Sequence, residues 1–265
     1  MQLCHDRFYF DLERQRVQSH EELCESLRTT QHTSLPLDQW VRVTDYQWCL
    51  QPLSAQGSLS GIGGRFNIGR ELTRARWHEF PALYIADNFD TAIRERYGGP
   101  LEEVIGNLTR QEFALRRPGS FSTFFIRGHI DHVFDLRHEE NLNGFVNIIK
   151  TFSLSKDTTQ FCQKFSLSTP PLVRTTSELL KGLLSAPEEW RKSPDMFAAP
   201  AACQIFGQFL RDAGFEAVIY PSQQGGSLCV AVFPENFRAS NSCIETIGTP
   251  PTGASYTVLD KDHFD

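Results

Sequence analysis

The chain has 265 residues, 40% of them hydrophobic and 22% charged, enough apolar material to bury a full core in one large domain or in one domain with an insertion. Its formal charge is −6 and its basic residues are scattered, which argues against a sequence-independent grip on nucleic acid and requires any anionic ligand to be held locally. No run approaches the ~20 apolar residues that cross a bilayer, the first residues, Met1 to Arg7, turn charged at once, and the seven cysteines form no Cys-x-x-Cys pair, so a cytoplasmic protein without a membrane partner is expected.

Along the chain, His20 to Thr29 has helical spacing with acidic residues early, where the helix dipole favours them. Trp40 to Tyr46 alternates like a strand. Gly57 to Gly69 is a glycine- and serine-rich loop. Leu83-Tyr84-Ile85-Ala86 is a short buried strand, and Asp87 or Asn88 can cap a following helix whose Phe89, Ala92, Ile93 and Tyr97 form an apolar stripe. Glu95, two residues past Ile93 and so about 200° round the helix, points away from that stripe together with Thr91. Phe121 to Arg137, β-branched and aromatic, forms two strands or one long bent strand.

From about 138 to 200 the character changes to helical patterns, among them Glu140–Lys150 and Thr175–Leu184, punctuated by Pro187, Pro194 and Pro200. A helix over Ala201–Ala213 ends at Gly214, and two strands follow, Glu216–Tyr220 and Leu228–Phe233. The tail after Asn236, rich in Gly, Pro, Thr and Ser, reads as weakly ordered. His129 and His132 fall three apart in strand-like sequence and so on opposite faces, and no metal site is expected. Cys203 and Cys229 lie in apolar surroundings and read as core thiols.

The glycine segment Gly61-Ile62-Gly63-Gly64-Arg65-Phe66 lacks both the third glycine of the dinucleotide fingerprint and the Gly-Lys-Ser/Thr of a P-loop. Taken singly, Arg65 is a solvated arginine, Tyr84 a core tyrosine, Glu95 a solvated helix glutamate and Ser222 a turn hydroxyl. Their order and spacing say more. A Gly-Gly-Arg-Phe-Asn block, a Leu-Tyr-x-Ala strand, a Thr-Ala-x-x-Glu helix start and a late Tyr220-Pro221-Ser222 strand end together resemble the RES domain family. The resemblance extends to Trp40–Tyr46, Phe121–Leu136 and Ala201–Phe233. Residues 1–38 and about 138–200 look longer than a minimal member, and Phe66 stands where a tryptophan or tyrosine is frequent.

The resemblance implies an α+β fold with an ADP-ribosyltransferase-like split β-sheet core. Residues 39–240 would be the catalytic domain, 1–38 an N-terminal extension, about 138–200 a helical insertion and 241–265 a weakly ordered tail. It implies Arg65, Tyr84, Glu95 and Ser222 as catalytic residues, and Gly64, Arg65, Phe66, Asn67 and Tyr84 as residues that bind NAD+. NAD+ would be substrate rather than cofactor, with inorganic phosphate as a possible co-substrate. The expected activity is that of a toxin that degrades NAD+ by phosphorolysis or hydrolysis, with an antitoxin or immunity protein as possible partner. Transfer of ADP-ribose to a protein is one alternative, and an inactive interaction module of the same fold is another. Arg65 would bind pyrophosphate or steer an incoming phosphate, Tyr84 would stack on nicotinamide or its ribose, Glu95 would hold the ribose hydroxyls and stabilise positive charge at the sugar, and Ser222 would contact the nucleotide or position the acceptor.

Overall fold

A computed structural model describes residues 2–72, 77–97, 104–105, 108–109, 121–169 and 172–264. The fold is mixed α+β. Two N-terminal helices, α1 (Gln2–Gln18) and α2 (His20–Arg28), precede a long strand, β1 (Thr33–Asp45), and the glycine loop leads to β2 (Leu83–Ala86) and α3 (Phe89–Tyr97). A small hairpin, β3 (Val104–Ile105) with β4 (Leu108–Thr109), precedes β5 (Phe121–Asp135), which is one continuous strand of 15 residues. The helical segment comprises α4 (Asn143–Ile149), α5 (Lys156–Lys164), α6 (Thr176–Leu183), α7 (Pro187–Trp190), α8 (Lys192–Phe197) and α9 (Ala202–Asp212). Strands β6 (Ala217–Pro221), β7 (Leu228–Val232), β8 (Cys243–Thr246) and β9 (Val258–Leu259) complete it.

The main sheet has the order β1-β2-β7-β6-β5-β8-β9, and β1 also pairs with β5. The sheet therefore curls until β1 meets strands on both of its edges, antiparallel to β2 through Val41 and Ala86 and to β5 from Thr33 with Val133 to Asp45 with Phe121. Strand β6 runs parallel to β5, a pairing that needs a long crossover, and the helical segment is that crossover.

Period-2 alternation sorts the central strands onto two cores. Leu83, Ile85, Ala217, Ile219, Val230 and Val232 point into the curl with Ile126, Ile130 and Phe237. Their neighbours Ala86, Val218, Tyr220, Cys229 and Ala231 face the helices, joining Phe66, Phe134, Phe206 and Phe209. Strands buried on both faces read as continuous apolar runs, as Ala217-Val218-Ile219-Tyr220 does.

Two expectations change here. The tail is part of the sheet: β8 pairs with β5 from Ile126 with Thr246 to His129 with Cys243, and β9 pairs with β8. Ile244 and Leu259 are buried, so a few apolar residues inside a polar, glycine-rich stretch suffice to anchor it. Thr91, expected on the polar side of α3, is buried as well. The helix itself starts with Asn88, whose Oδ1 accepts from Thr91 N–H at 2.9 Å.

Candidate active site

A cleft of about 430 Å³ opens between β1, the glycine loop, β2, α3 and α7, and Gly64, Arg65, Tyr84 and Glu95 all line it. Each is placed by a different local device.

The glycine loop is organised by side chains rather than by regular structure. Asn67, fully buried, donates from Nδ2 to the Ser58 and Phe80 carbonyls at 3.0 and 3.2 Å, while its Oδ1 accepts from Gly64 N–H and from the Tyr84 hydroxyl, both at 2.9 Å. The Tyr84 hydroxyl accepts in turn from Phe66 N–H at 2.9 Å. From α9, the buried Gln204 amide donates to the carbonyls of Ile62, Gly64 and Asn67 at 2.7, 3.1 and 3.0 Å. Side chains thus pair backbone groups that a loop with little regular structure cannot pair through a ladder of its own. Two contacts demand glycine: a Cβ on Gly64 would stand 2.5 Å from the Tyr84 hydroxyl oxygen, and one on Gly207 would stand 2.2 Å from the Phe66 carbonyl oxygen.

These bonds revise two expected binding residues. Phe66 and Asn67 are 0% exposed and do not line the cleft. Phe66 packs edge-on against Tyr220 at 4.9 Å between ring centroids, which explains why a plain phenyl ring suits the position. Both residues build the loop that presents Gly64 and Arg65. Tyr84 contributes its ring to the cleft wall, but its hydroxyl is committed to the loop, and burial raises its pKa well above the usual phenol value despite the opposing bond from Phe66.

Arg65 is only 6% exposed, and its Nη1 donates to the carbonyls of Leu183 and Ser185 at 3.0 and 2.8 Å. Leu183 ends α6, where the last carbonyls lack intrahelical partners and the dipole favours a cation. The Trp190 ring also faces the guanidinium, 5.9 Å from centroid to Cζ. Nε and Nη2 of Arg65 take no partner among the described residues and remain available to a ligand.

Glu95 and Ser222, separated by 127 positions in the chain, meet directly: Ser222 Oγ donates to Glu95 Oε1 at 2.6 Å, and Gln223 N–H donates to the same oxygen at 3.0 Å. Ser222 Oγ accepts from Gln224 N–H at 3.1 Å. Ser222 does not line the cleft and is 9% exposed; it acts behind Glu95, orienting the carboxylate. The second oxygen, Oε2, has no partner among the described residues. The carboxylate is therefore fixed through one oxygen and free through the other.

Several cleft residues carry no sequence signal of their own. Arg42, in β1, donates to the carbonyls of Ser54 and Tyr84 at 2.8 and 3.4 Å. Arg96 pairs with Asp45. Trp48 rests on Gly57, where a Cβ would stand 3.1 Å from the indole nitrogen, and Trp190 and Arg191 come from the helical segment. Only strand-to-strand register and the position of α7 bring these together. Cys229 reaches the cleft, but burial, reinforced by the charges of Glu95 and Asp87, pushes its thiol far above 9.0; Cys203, buried beneath, is pushed up to about 12. Both stay protonated at neutral pH and are poor nucleophiles. Among the described residues, no group of three or more His, Cys, Asp or Glu side chains is placed to hold a metal ion.

Residues 142–252 match the family model of the RES domain. The matched stretch contains Ser222 and the α6–α7 wall, while Arg65, Tyr84 and Glu95 precede it. No curated protein matches the chain. A solved structure, the M. tuberculosis MbcT–MbcA toxin–antitoxin complex, aligns over 80% of this chain and 81% of the other at 17% identity with a TM-score of 0.43.

Proposed function

Starting from the match of residues 142–252 to the RES domain model, we propose that the chain is an NAD+-degrading enzyme, cleaving the bond between nicotinamide and ribose, and that it acts as a toxin held in check by a protein partner. One observation supports this most directly: Glu95, fixed by Ser222 and Gln223 through Oε1, lines the same cleft as Arg65 with Oε2 unpartnered.

The chemistry asks little more of the protein. Nicotinamide leaves NAD+ as a neutral molecule from a cationic ring, so the C–N bond breaks with its electron pair passing to the ring nitrogen and no proton donor is needed. One carboxylate then serves where ordinary glycosidases use two. The sugar carbon becomes oxocarbenium-like, and Glu95 Oε2 offsets that charge while also accepting from ribose hydroxyls. Preorganisation is what makes such a group effective: Oε1 is already saturated with donors, so the carboxylate does not reorient as charge develops. Arg65 offers Nε and Nη2 to an anionic part of the substrate, the diphosphate or an incoming phosphate. The Tyr84 ring forms an aromatic wall for the nicotinamide riboside half. Water or inorganic phosphate then bonds to the sugar carbon and gives up its proton to solvent, yielding ADP-ribose or its phosphorylated counterpart.

The test is to incubate purified protein with NAD+ in the presence and absence of inorganic phosphate and to identify the products. Nicotinamide release is expected, and the product that accompanies it names the acceptor. Folded protein that leaves NAD+ intact under both conditions refutes the reading, and label recovered only on a protein acceptor replaces it with ADP-ribosyl transfer.

A further inference from the structure

Among the described residues, the cleft is lined by four arginines, Arg42, Arg65, Arg96 and Arg191, against two carboxylates, Asp45 and Glu95. A chain with a formal charge of −6 thus concentrates positive charge at one place, where low-dielectric walls focus its field. The four arginines are not equivalent. Arg42 is spent on the carbonyls of Ser54 and Tyr84, Arg96 is paired with Asp45, and Arg65 uses one arm to hold the end of α6. Arg191 is exposed, and its guanidinium makes no hydrogen bond or ion pair among the described residues. Its guanidinium lies over the neighbouring Trp190 ring, 5.1 Å from Cζ to centroid.

That contact sets the direction of the side chain without using its N–H groups. An arginine lying over an aromatic ring loses less freedom on binding an anion than an unsupported one, and its planar fork suits phosphate oxygens. The same indole meets Arg65 at 5.9 Å, so Trp190 ties together a buried guanidinium with two nitrogens still available and an exposed one with none engaged.

We infer that Arg191 is a phosphate-binding residue at the cleft rim, completing with Arg65 a two-arginine site for the diphosphate of a nucleotide, with Trp190 as the common support of both. This rests on the reading of the cleft as a dinucleotide site but not on the reaction performed there. Charge-assisted bonds of this kind contribute about 1.5–3 kcal/mol, or roughly tenfold to 150-fold in affinity.

The experiment is calorimetric titration of the full-length protein with ADP-ribose and with adenosine, which lacks phosphate, using wild type, Arg191→Ala and Arg191→Lys. Arg191→Ala is expected to weaken ADP-ribose binding by about tenfold or more, with adenosine binding unchanged and Arg191→Lys recovering part of the loss. The salt dependence of ADP-ribose binding should flatten in Arg191→Ala. Equal affinity of wild type and Arg191→Ala for ADP-ribose overturns the assignment, as does an equal loss for adenosine, which would mean that Arg191 merely packs Trp190. Failure of wild type to bind ADP-ribose overturns it too. Arg191-dependent binding in a protein that never releases nicotinamide from NAD+ upholds the phosphate site and removes only the proposed reaction.

Discussion

The glycine loop and the helical segment around Trp190 build walls of the same cleft by opposite means. In the loop nearly every polar group is consumed: Asn67 bonds through both ends of its amide, Gln204 spans three carbonyls, and the Tyr84 hydroxyl both donates and accepts. In the helical segment Arg191 is left without a polar partner among the described residues. Two residues that the sequence suggests as ligand contacts, Phe66 and Asn67, prove to be scaffold, whereas the segment set apart as an insertion supplies both an anchor for Arg65 and an exposed cation. Proximity to a motif is thus a weaker guide to ligand contact than whether a side chain's polar atoms are already satisfied.

The strongest expected effect comes from removing the charge that Ser222 and Gln223 hold ready at the cleft. Glu95→Gln should lower nicotinamide release by more than about a hundredfold with thermal unfolding unchanged; a smaller loss would place the chemistry elsewhere. Removing the loop's own glue should act on stability instead. Gln204→Leu takes a donor from three carbonyls, of which Ile62 keeps Gly69 N–H; with about 1–3 kcal/mol for each buried carbonyl left unpaired, a loss of about 3 kcal/mol is expected in urea unfolding, and a midpoint equal to wild type would show that the loop stands without this link to α9. Gly64→Ala drives a methyl group into the Tyr84 hydroxyl and should cost about 1–3 kcal/mol, read by the same unfolding curve.

A smaller effect is expected at Ser222→Ala. It takes one of two donors from Glu95 Oε1 while Gln223 N–H stays, so turnover should fall by about tenfold, with KM little altered. A change in KM alone would instead put Ser222 on the substrate. The smallest effect lies outside the cleft. Burial opposes ionisation of Asp135, but the bonds and charge of Arg137 outweigh it and hold its carboxyl below the ordinary 3.8. A depressed folded-state pKa gives stability that is present above pH 3.8 and lost as pH falls through the lower folded value. Asp135→Asn should therefore narrow the stability difference between neutral and strongly acidic solution, whereas an unchanged acid transition would show that the pair is inert.

Much of the scaffold was legible because its signals are local. Leu83–Ala86 is a strand, Asn88 caps the next helix and Gly214 follows the end of α9, each from neighbouring residues alone. The union of Glu95 with Ser222 was legible only as an order of motifs, since no short-range pattern states that positions 127 apart share a bond. What escaped was the helix α1, whose apolar residues follow no clear stripe, the tail strands inside polar sequence, and the cleft walls of Trp48, Trp190 and Arg42. Those residues take their places from sheet register and helix docking, which the local sequence does not encode.

The bond between Glu95 and Ser222 has a consequence for how the protein is made. The carboxylate leaves the ribosome long before the residues that fix it, so a growing chain holds Glu95 without Ser222, Gln223 or the α6 carbonyls that clasp Arg65. A translation product truncated before Ser222 carries three of the four candidate residues yet lacks both the hydroxyl and the amide that hold the Glu95 carboxylate in place.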